Sequence, residues 1–261
     1  AVALPPLRPG ERADVSVSLT APAEAGLHRS TWKPRDLQGR SFDQYVYALI
    51  DVVDPTQIFD MLPYLRGDGR VYDLSFNWAG GGEQRLQTQV DGGRFYHVKH
   101  IEWEELWADD SFVYRGTDTS PGNGEVYTLY ENGQYGSPWI PRRMRVGVLF
   151  RRTPIVVFRR KSDGVPVPGK TFVHVTWIKL ESVHSRLKLS SGLELNNVAV
   201  LAAYEDVDGK AKTTPFERYF YAQKFGLVAW EGALGQAVLA KKYAPGTMPD
   251  NIREVLPWLK R

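Results

Sequence analysis

Five histidines could bring metal or acid–base chemistry to this chain: His28, His97, His100, His174 and His184. A metal needs its donors on one face. His97 and His100, three positions apart on one strand, point to opposite faces because strand side chains alternate, so they do not jointly hold an ion. No cysteine is present, which excludes disulfides, thiolate metal sites and cysteine nucleophiles. Glu205-Asp206-Val207-Asp208-Gly209 has the acidity of a calcium loop but lacks the later ligands an EF-hand requires, and it reads as a hairpin turn. Glu102, Glu104, Glu105, Glu217 and Glu231 are the carboxylates that would serve glycoside hydrolysis, yet no spacing isolates one acid and one base. Neither Gly-x-Ser-x-Gly, His-Glu-x-x-His nor a phosphate loop occurs. Arg66-Gly67-Asp68 sits in a glycine-rich linker and reads as a turn. The expectation is a non-catalytic protein with no cofactor and no bound metal.

Two patterns point to binding instead. Trp103, Trp107, Tyr135 and Trp139 cluster in sequence, with Trp103 and Trp107 on one face of an unbroken strand and Trp139 near a hairpin tip. Exposed, such rings would stack on sugars or anchor a partner; buried, they are core. The charges are also segregated. Glu102 to Glu131 holds eight acidic residues, Glu102, Glu104 and Glu105 among them, and one basic residue, Arg115. Pro141 to Ser162 holds eight basic residues, including Arg142, Arg143, Arg145, Arg151 and Arg152, and no acidic one. Such segments either pair across neighbouring strands or form two opposed faces suited to head-to-tail association. The acidic neighbour opposes nucleic-acid binding by the arginines.

These residues need elements to position them, and the composition suits β-structure: 13 tyrosines, 8 tryptophans, 24 glycines and 17 prolines in 261 residues. The net charge of +3 is small. The longest apolar run, Val198 to Tyr204, is far below the roughly 20 residues of a membrane helix. Tight-turn pairs punctuate the chain. Gln87–Val90 and Arg94–Ile101 flank Asp91-Gly92-Gly93; Glu125–Tyr130 and Gln134–Trp139 flank Asn132-Gly133; Val198–Val207 and Pro215–Ala222 flank Asp208-Gly209. Residues 69–261 therefore read as a large antiparallel meander of about ten strands, open or closed as a half-barrel. Residues 54–68 are a linker with a short helix capped by Asp54, with Pro55 at its first position and an end near Arg66-Gly67. A tail helix is expected from Asp250 to Leu256.

Residues 1–53 carry strand, turn, strand, turn, strand. Val15, Val17 and Leu19 alternate with polar residues, Ala21-Pro22 ends that strand, Leu27 to Lys33 carries Trp32, Asp36 to Gly39 turns, and Phe42 to Val53 completes the third strand. Pro9-Gly10-Glu11, Asp14-Val15, Ala21-Pro22, Gly26, Arg29-Ser30, Trp32-Lys33, Asp36, Gly39 and Phe42 resemble the second half of the four-tryptophan Ig-like domain of selective-autophagy receptors and bacterial extracellular proteins. Only Trp32 of the family's tryptophans has a counterpart, and the upstream strands of a sandwich have none. The resemblance implies a partial Ig-like sandwich whose open edges seek β-structure from upstream of Ala1 or from another chain.

Phe216 to Glu231, with its Tyr-x-x-Ala and Gly-Leu-Val-x-x-Glu spacing, resembles the closing hairpin of bacterial extracytoplasmic half-barrel lipoproteins. That implies an extracellular or cell-surface location, with Ala1 lying past any cleaved leader. The combined expectation is an all-β, non-catalytic bacterial surface protein acting in assembly or adhesion, partnered by other protein chains or by copies of itself, with no membrane span. A carbohydrate-binding accessory module and a phage surface protein are the alternatives.

Overall fold

The computed structural model describes residues 8, 10–20, 22–36, 38–52, 54, 56–68, 72–78, 83–99, 102–232, 235–245, 256, 258 and 259. The chain is nearly all β and divides into two compact units, Ala1–Asp54 and Pro55–Arg261. The expected tail helix at Asp250–Leu256 and His100 lie outside the described residues, Leu256 excepted.

In the first unit, β1 (Gly26–Trp32) pairs antiparallel with β2 (Val46–Val52), from Gly26↔Val52 to Trp32↔Val46. The turn before β2 is held as its sequence requires: the Asp36 carboxylate accepts from the backbone N–H of Gln38 at 3.0 Å and of Arg40 at 2.8 Å. The expected first strand is absent. Residues 11–20 have no sheet partner among the described residues, and Val15, Val17 and Leu19 are exposed. An alternating pattern specifies a strand only where a neighbouring ladder and an apolar face receive it, and the two-stranded ribbon supplies neither. The last strand starts at Val46, not Phe42.

The second unit opens with β3 (Phe59–Asp60) and helix α1 (Leu62–Arg66). The helix is shorter than the 54–66 reading and starts after Met61, which gives it no side-chain cap. Asp60, one residue earlier, accepts from Leu62 N–H at 3.1 Å, and Pro63 takes the first turn. Then follow β4 (Tyr72–Trp78), β5 (Glu83–Asp91), β6 (Arg94–Lys99), β7 (Glu102–Ala108), β8 (Phe112–Gly122), β9 (Glu125–Glu131), β10 (Gln134–Tyr135) and β11 (Ser137–Pro141). The chain continues through β12 (Arg143–Met144), β13 (Leu149–Arg152), β14 (Ile155–Arg160), β15 (Pro166–Val173), β16 (Thr176–Lys188) and β17 (Glu194–Val207). It ends with β18 (Lys210–Ala211), β19 (Glu217–Ala222), β20 (Gly226–Gly232) and β21 (Gly235–Pro245).

All of these but β3 and β12, which pair with each other, belong to one closed barrel. Each strand from β4 to β9 pairs antiparallel with the next, and β9 then pairs with β14. On the other side, β4 pairs with β21 and the wall continues through β20, β19, β17 and β16, which takes β13 as neighbour. The β9–β10 turn shows how the sequence builds these corners. Asn132 at φ 49° and Gly133 at φ 76° form the two-residue, left-handed turn that matches strand twist.

The core fills one part of the barrel. Met61 and Leu65 are fully buried with Phe95, Leu106, Ile140 and Val228. Burying each such side chain stabilises by about 1.5–3 kcal/mol. A smaller cluster of Tyr96, Val98, Trp103, Val126 and Leu256 covers another face of the same strands.

Candidate functional site

A half-open cavity of 510 Å³ lies among the barrel strands. Leu129, Val156, Phe158, Phe172 and Ile178 give it an apolar side, while Glu104, Arg115, Asp118, Arg152 and Glu217 give it charges. Strand alternation places most of them, since His97 faces Glu104 and Arg152 faces Thr176 across adjacent strands.

Arg115 and Asp118 come together by a different device. Glu104 lies opposite Asp118 and Leu106 opposite Arg115, so β8 carries one extra residue there. This β-bulge turns both charged side chains into the cavity, 3.6 Å apart. It leaves Gly116 on the other side, where an added Cβ would lie 2.6 Å from the Tyr135 hydroxyl.

Arg115 is fully engaged. It is ion-paired to Glu104 as well as Asp118 and lies 4.5 Å from the centre of the Trp139 ring. Asp118 also accepts from the Tyr127 hydroxyl at 2.7 Å; burial and that carboxylate push the phenol above its ordinary range. Across the cavity the Tyr219 hydroxyl donates to Glu217, and burial, reinforced by Glu217, raises its pKa in the same way.

His97 pins α1 to the barrel wall. Its Nε2 donates to the Leu65 carbonyl at 2.9 Å, and its Nδ1 lies 2.9 Å from Glu104 Oε1. A carbonyl only accepts, so Nε2 carries the single proton of the neutral imidazole. Burial pushes the imidazole down to about 4, with Arg115 adding to the effect and the Leu65 carbonyl opposing it.

Arg152 is the exception among these charges. It is 7% exposed. Its Nε donates to the Pro138 carbonyl at 3.1 Å and its Cζ lies 4.5 Å from the Trp139 ring centre. Its two terminal nitrogens have no hydrogen-bond partner among the described residues. Burial, then the positive charge of Arg115, pushes its pKa down to about 9. Opposite it in the β13–β16 register, Thr176 is buried and its hydroxyl has no partner among the described residues. His174 lines the cavity close by in sequence, and burial followed by the charges of Arg152 and Arg115 lowers its pKa.

Of the rings and charges singled out from sequence for binding or assembly, Glu102, Trp103, Glu104, Trp139 and Arg152 line the cavity, and the others lie elsewhere. Trp139 lies in the barrel interior, edge-on to Tyr219 at 5.5 Å. Trp103 is buried against Tyr96 and Leu256. Trp107 and Tyr135 are half-buried and stacked at 5.8 Å, with Tyr114 on Trp107 at 5.6 Å and Arg94 4.2 Å from the Trp107 ring centre. Glu105 is fully buried beside them, held by Tyr135 and, at 3.2 Å, by Arg94. Glu102 and Glu104 line the cavity.

The arginines divide similarly. Arg142 is ion-paired to Asp60 at 3.1 Å and to Asp110 at 3.4 Å, and Arg151 to Asp206 at 3.3 Å. Arg143 and Arg145 are exposed and make no ion pair among the described residues. The acidic and basic segments meet directly where β9 pairs with β14, with Glu125 opposite Arg160.

Sequence reasoning passed over Asp118, Tyr127, Thr176 and Tyr219, and treated Arg115 only as an interruption of an acidic run. Gly116 within an otherwise strand-like segment was the available signal of a bulge.

Among the described residues, no three His, Asp or Glu side chains are grouped to hold a metal, and no helix is long and apolar enough to cross a membrane. Compared with known proteins, the chain matches no family model, no curated protein and no solved structure.

Proposed function

We propose that this chain is a non-catalytic binding protein of the bacterial cell exterior whose β-barrel takes up a small organic molecule. The carrying observation is the 510 Å³ cavity with one apolar and one charged side. Its size falls within the range of about 300–1,000 Å³ typical of small-molecule sites, and a few placed polar groups on an apolar wall are what orient a ligand. The likeness of residues 216–231 to the hairpin of extracytoplasmic half-barrel lipoproteins supports the location; in this chain that segment forms β19 and β20, part of the cavity wall.

The test is a fluorescence titration of the full chain with N-phenyl-1-naphthylamine, an uncharged aromatic probe whose emission rises in apolar surroundings. Saturable one-to-one binding is expected, and Ala203→Phe, which fills the cavity from β17, should abolish it. A probe that does not saturate, or binding indifferent to Ala203→Phe in a folded variant, would overturn the reading.

One observation favours a second reading, protein assembly at the cell surface. The β1–β2 ribbon leaves Leu27, Val46, Tyr47 and Leu49 each more than half exposed, and a ribbon with open edges and apolar faces accepts further strands.

A further inference from the structure

We infer that the ligand of the barrel cavity is an amphiphilic organic anion, whose oxyanion group docks on Arg152 and Thr176 and whose apolar body lies along Val156, Phe158 and Phe172. The inference rests on the cavity being a ligand site and adds the chemistry of what enters it.

Two neighbouring donors await an acceptor there. The Arg152 guanidinium spends Nε on the Pro138 carbonyl and keeps its terminal fork free among the described residues. Thr176, directly across the strand pair, keeps a buried hydroxyl free. Both side chains line the cavity and both are more than nine-tenths buried. A buried guanidinium without a counter-charge is costly, and a planar fork beside a hydroxyl matches the oxygens of a carboxylate, sulfonate or phosphate.

Arg115, Glu104, Asp118 and Glu217 already have partners, while Glu102 also lines the cavity. Glu104 and Asp118 neutralise Arg115, so that guanidinium is not the receptor. Glu217 accepts from Tyr219. Glu131, whose charge acts on Arg152, accepts from Ser137 at 3.1 Å and Thr153 at 3.4 Å. Arg152 is therefore the cation of the cavity left for an incoming anion.

The apolar body has a track. Val156 lies opposite Phe172 across β14 and β15, and the Phe158 and Phe172 rings stack at 6.2 Å. Phe172 on β15 is 49% exposed while its partner Val156 on β14 is buried, so this wall runs from solvent inward across the strand pair that follows Arg152. A small inorganic anion would satisfy the fork and leave the aromatic wall unused.

The experiment compares two fluorescent probes on the full chain: 1-anilinonaphthalene-8-sulfonate, and N-phenyl-1-naphthylamine, which has the same aromatic body without the sulfonate. The sulfonate should bind at least about tenfold tighter. Arg152→Gln should remove that advantage while leaving the uncharged probe's affinity in place. Arg152→Lys should restore part of it, and Thr176→Val should lower sulfonate affinity by about threefold. Circular dichroism confirms that each variant is folded, and the uncharged probe confirms that the cavity is intact. Binding of both probes with a ratio unmoved by Arg152→Gln would overturn the anion inference and leave the cavity reading standing. Binding of neither probe by the wild-type chain would remove both.

Discussion

Arg115 and Asp118 stand three positions apart on one strand and nevertheless face the same cavity, 3.6 Å from guanidinium to carboxylate. Regular alternation would have separated them. The bulge that unites them gives Arg115 two carboxylate partners, while Arg152, like Arg115 4.5 Å from the Trp139 ring centre, has no ion-pair partner among the described residues. The function proposed for the barrel thus depends on one extra residue in β8.

Gly116 makes that bulge possible. A Cβ there would lie 2.6 Å from the Tyr135 hydroxyl, 2.7 Å from Glu105 Oε2 and 2.7 Å from the Trp107 ring. These groups cannot easily yield, because Tyr135 is hydrogen-bonded to both Thr117 and the fully buried Glu105. Gly116→Ala should therefore destabilise the barrel by about 1–3 kcal/mol, the usual cost of overpacking. Urea denaturation checks it: a midpoint equal to that of the wild type would mean that the bulge tolerates a side chain.

The hairpins were legible because Asn132-Gly133 and Asp208-Gly209 write their own backbone conformation locally. The all-β class followed from the alternation and turn spacing between them. The cavity was not legible, for physical reasons that two pairs of residues make plain. Arg151 and Arg152 are adjacent members of one arginine run, and only the barrel decides that the first meets Asp206 while the second points inward. Trp103 and Trp107 share a strand, but only one of them lies under Leu256. Asp54-Pro55 reads as a helix start, yet the helix begins after Met61, beside Asp60, which Arg142 grips from 82 residues further along the chain. Local sequence sets turns; burial of a polar group is settled by partners distant in sequence.

Acid should weaken the fold through His97. Its folded value of about 4 lies below the ordinary 6.5, so the unfolded chain takes up a proton first as pH falls. The stabilisation from keeping this imidazole neutral is complete above 6.5. It is lost progressively between 6.5 and about 4, and it is flat below that. The full loss amounts to about 3 kcal/mol. His97→Gln, which can still donate to the Leu65 carbonyl, should flatten the stability profile in that window. Equal slopes for the two proteins, measured by chemical denaturation across this range, would show that His97 does not titrate on unfolding.

Charge-steered assembly, if the chain self-associates, should run through Arg143 and Arg145. Both are exposed and without ion pairs among the described residues, and Ile58, Val148 and Leu149 beside them are exposed as well. Arg142 differs, being held by Asp60 and Asp110. Oligomers at low ionic strength should dissociate as the Debye length shrinks from about 10 Å at 0.1 M salt to about 3 Å at 1 M. Arg143→Glu with Arg145→Glu should prevent them, whereas Arg142→Glu should lower stability by severing the Asp60 contact. Sedimentation velocity decides: a monomer at every salt concentration, or oligomers indifferent to the double reversal, would leave these arginines as solvated surface.

The β1–β2 ribbon should be the least protected sheet in the molecule. It is two strands of seven residues, with Leu27 and Leu49 each more than half exposed, and an isolated hairpin of that size is marginal in water. The β16–β17 pair is the opposite case. Its strands of 13 and 14 residues have neighbours on both outer sides and bury Leu180, Val198 and Leu201. Backbone amides open with free energies that follow such burial, from near zero at frayed segments up to the global stability in the core. Hydrogen exchange on the full chain should therefore show β1 and β2 exchanging orders of magnitude faster than β16 and β17. If the ribbon accepts strands from a second copy, its amides alone should gain protection as protein concentration rises. Protection of β1 and β2 equal to that of β16 and β17 at low concentration would show that this ribbon is stable without any partner, and the assembly reading would lose its support.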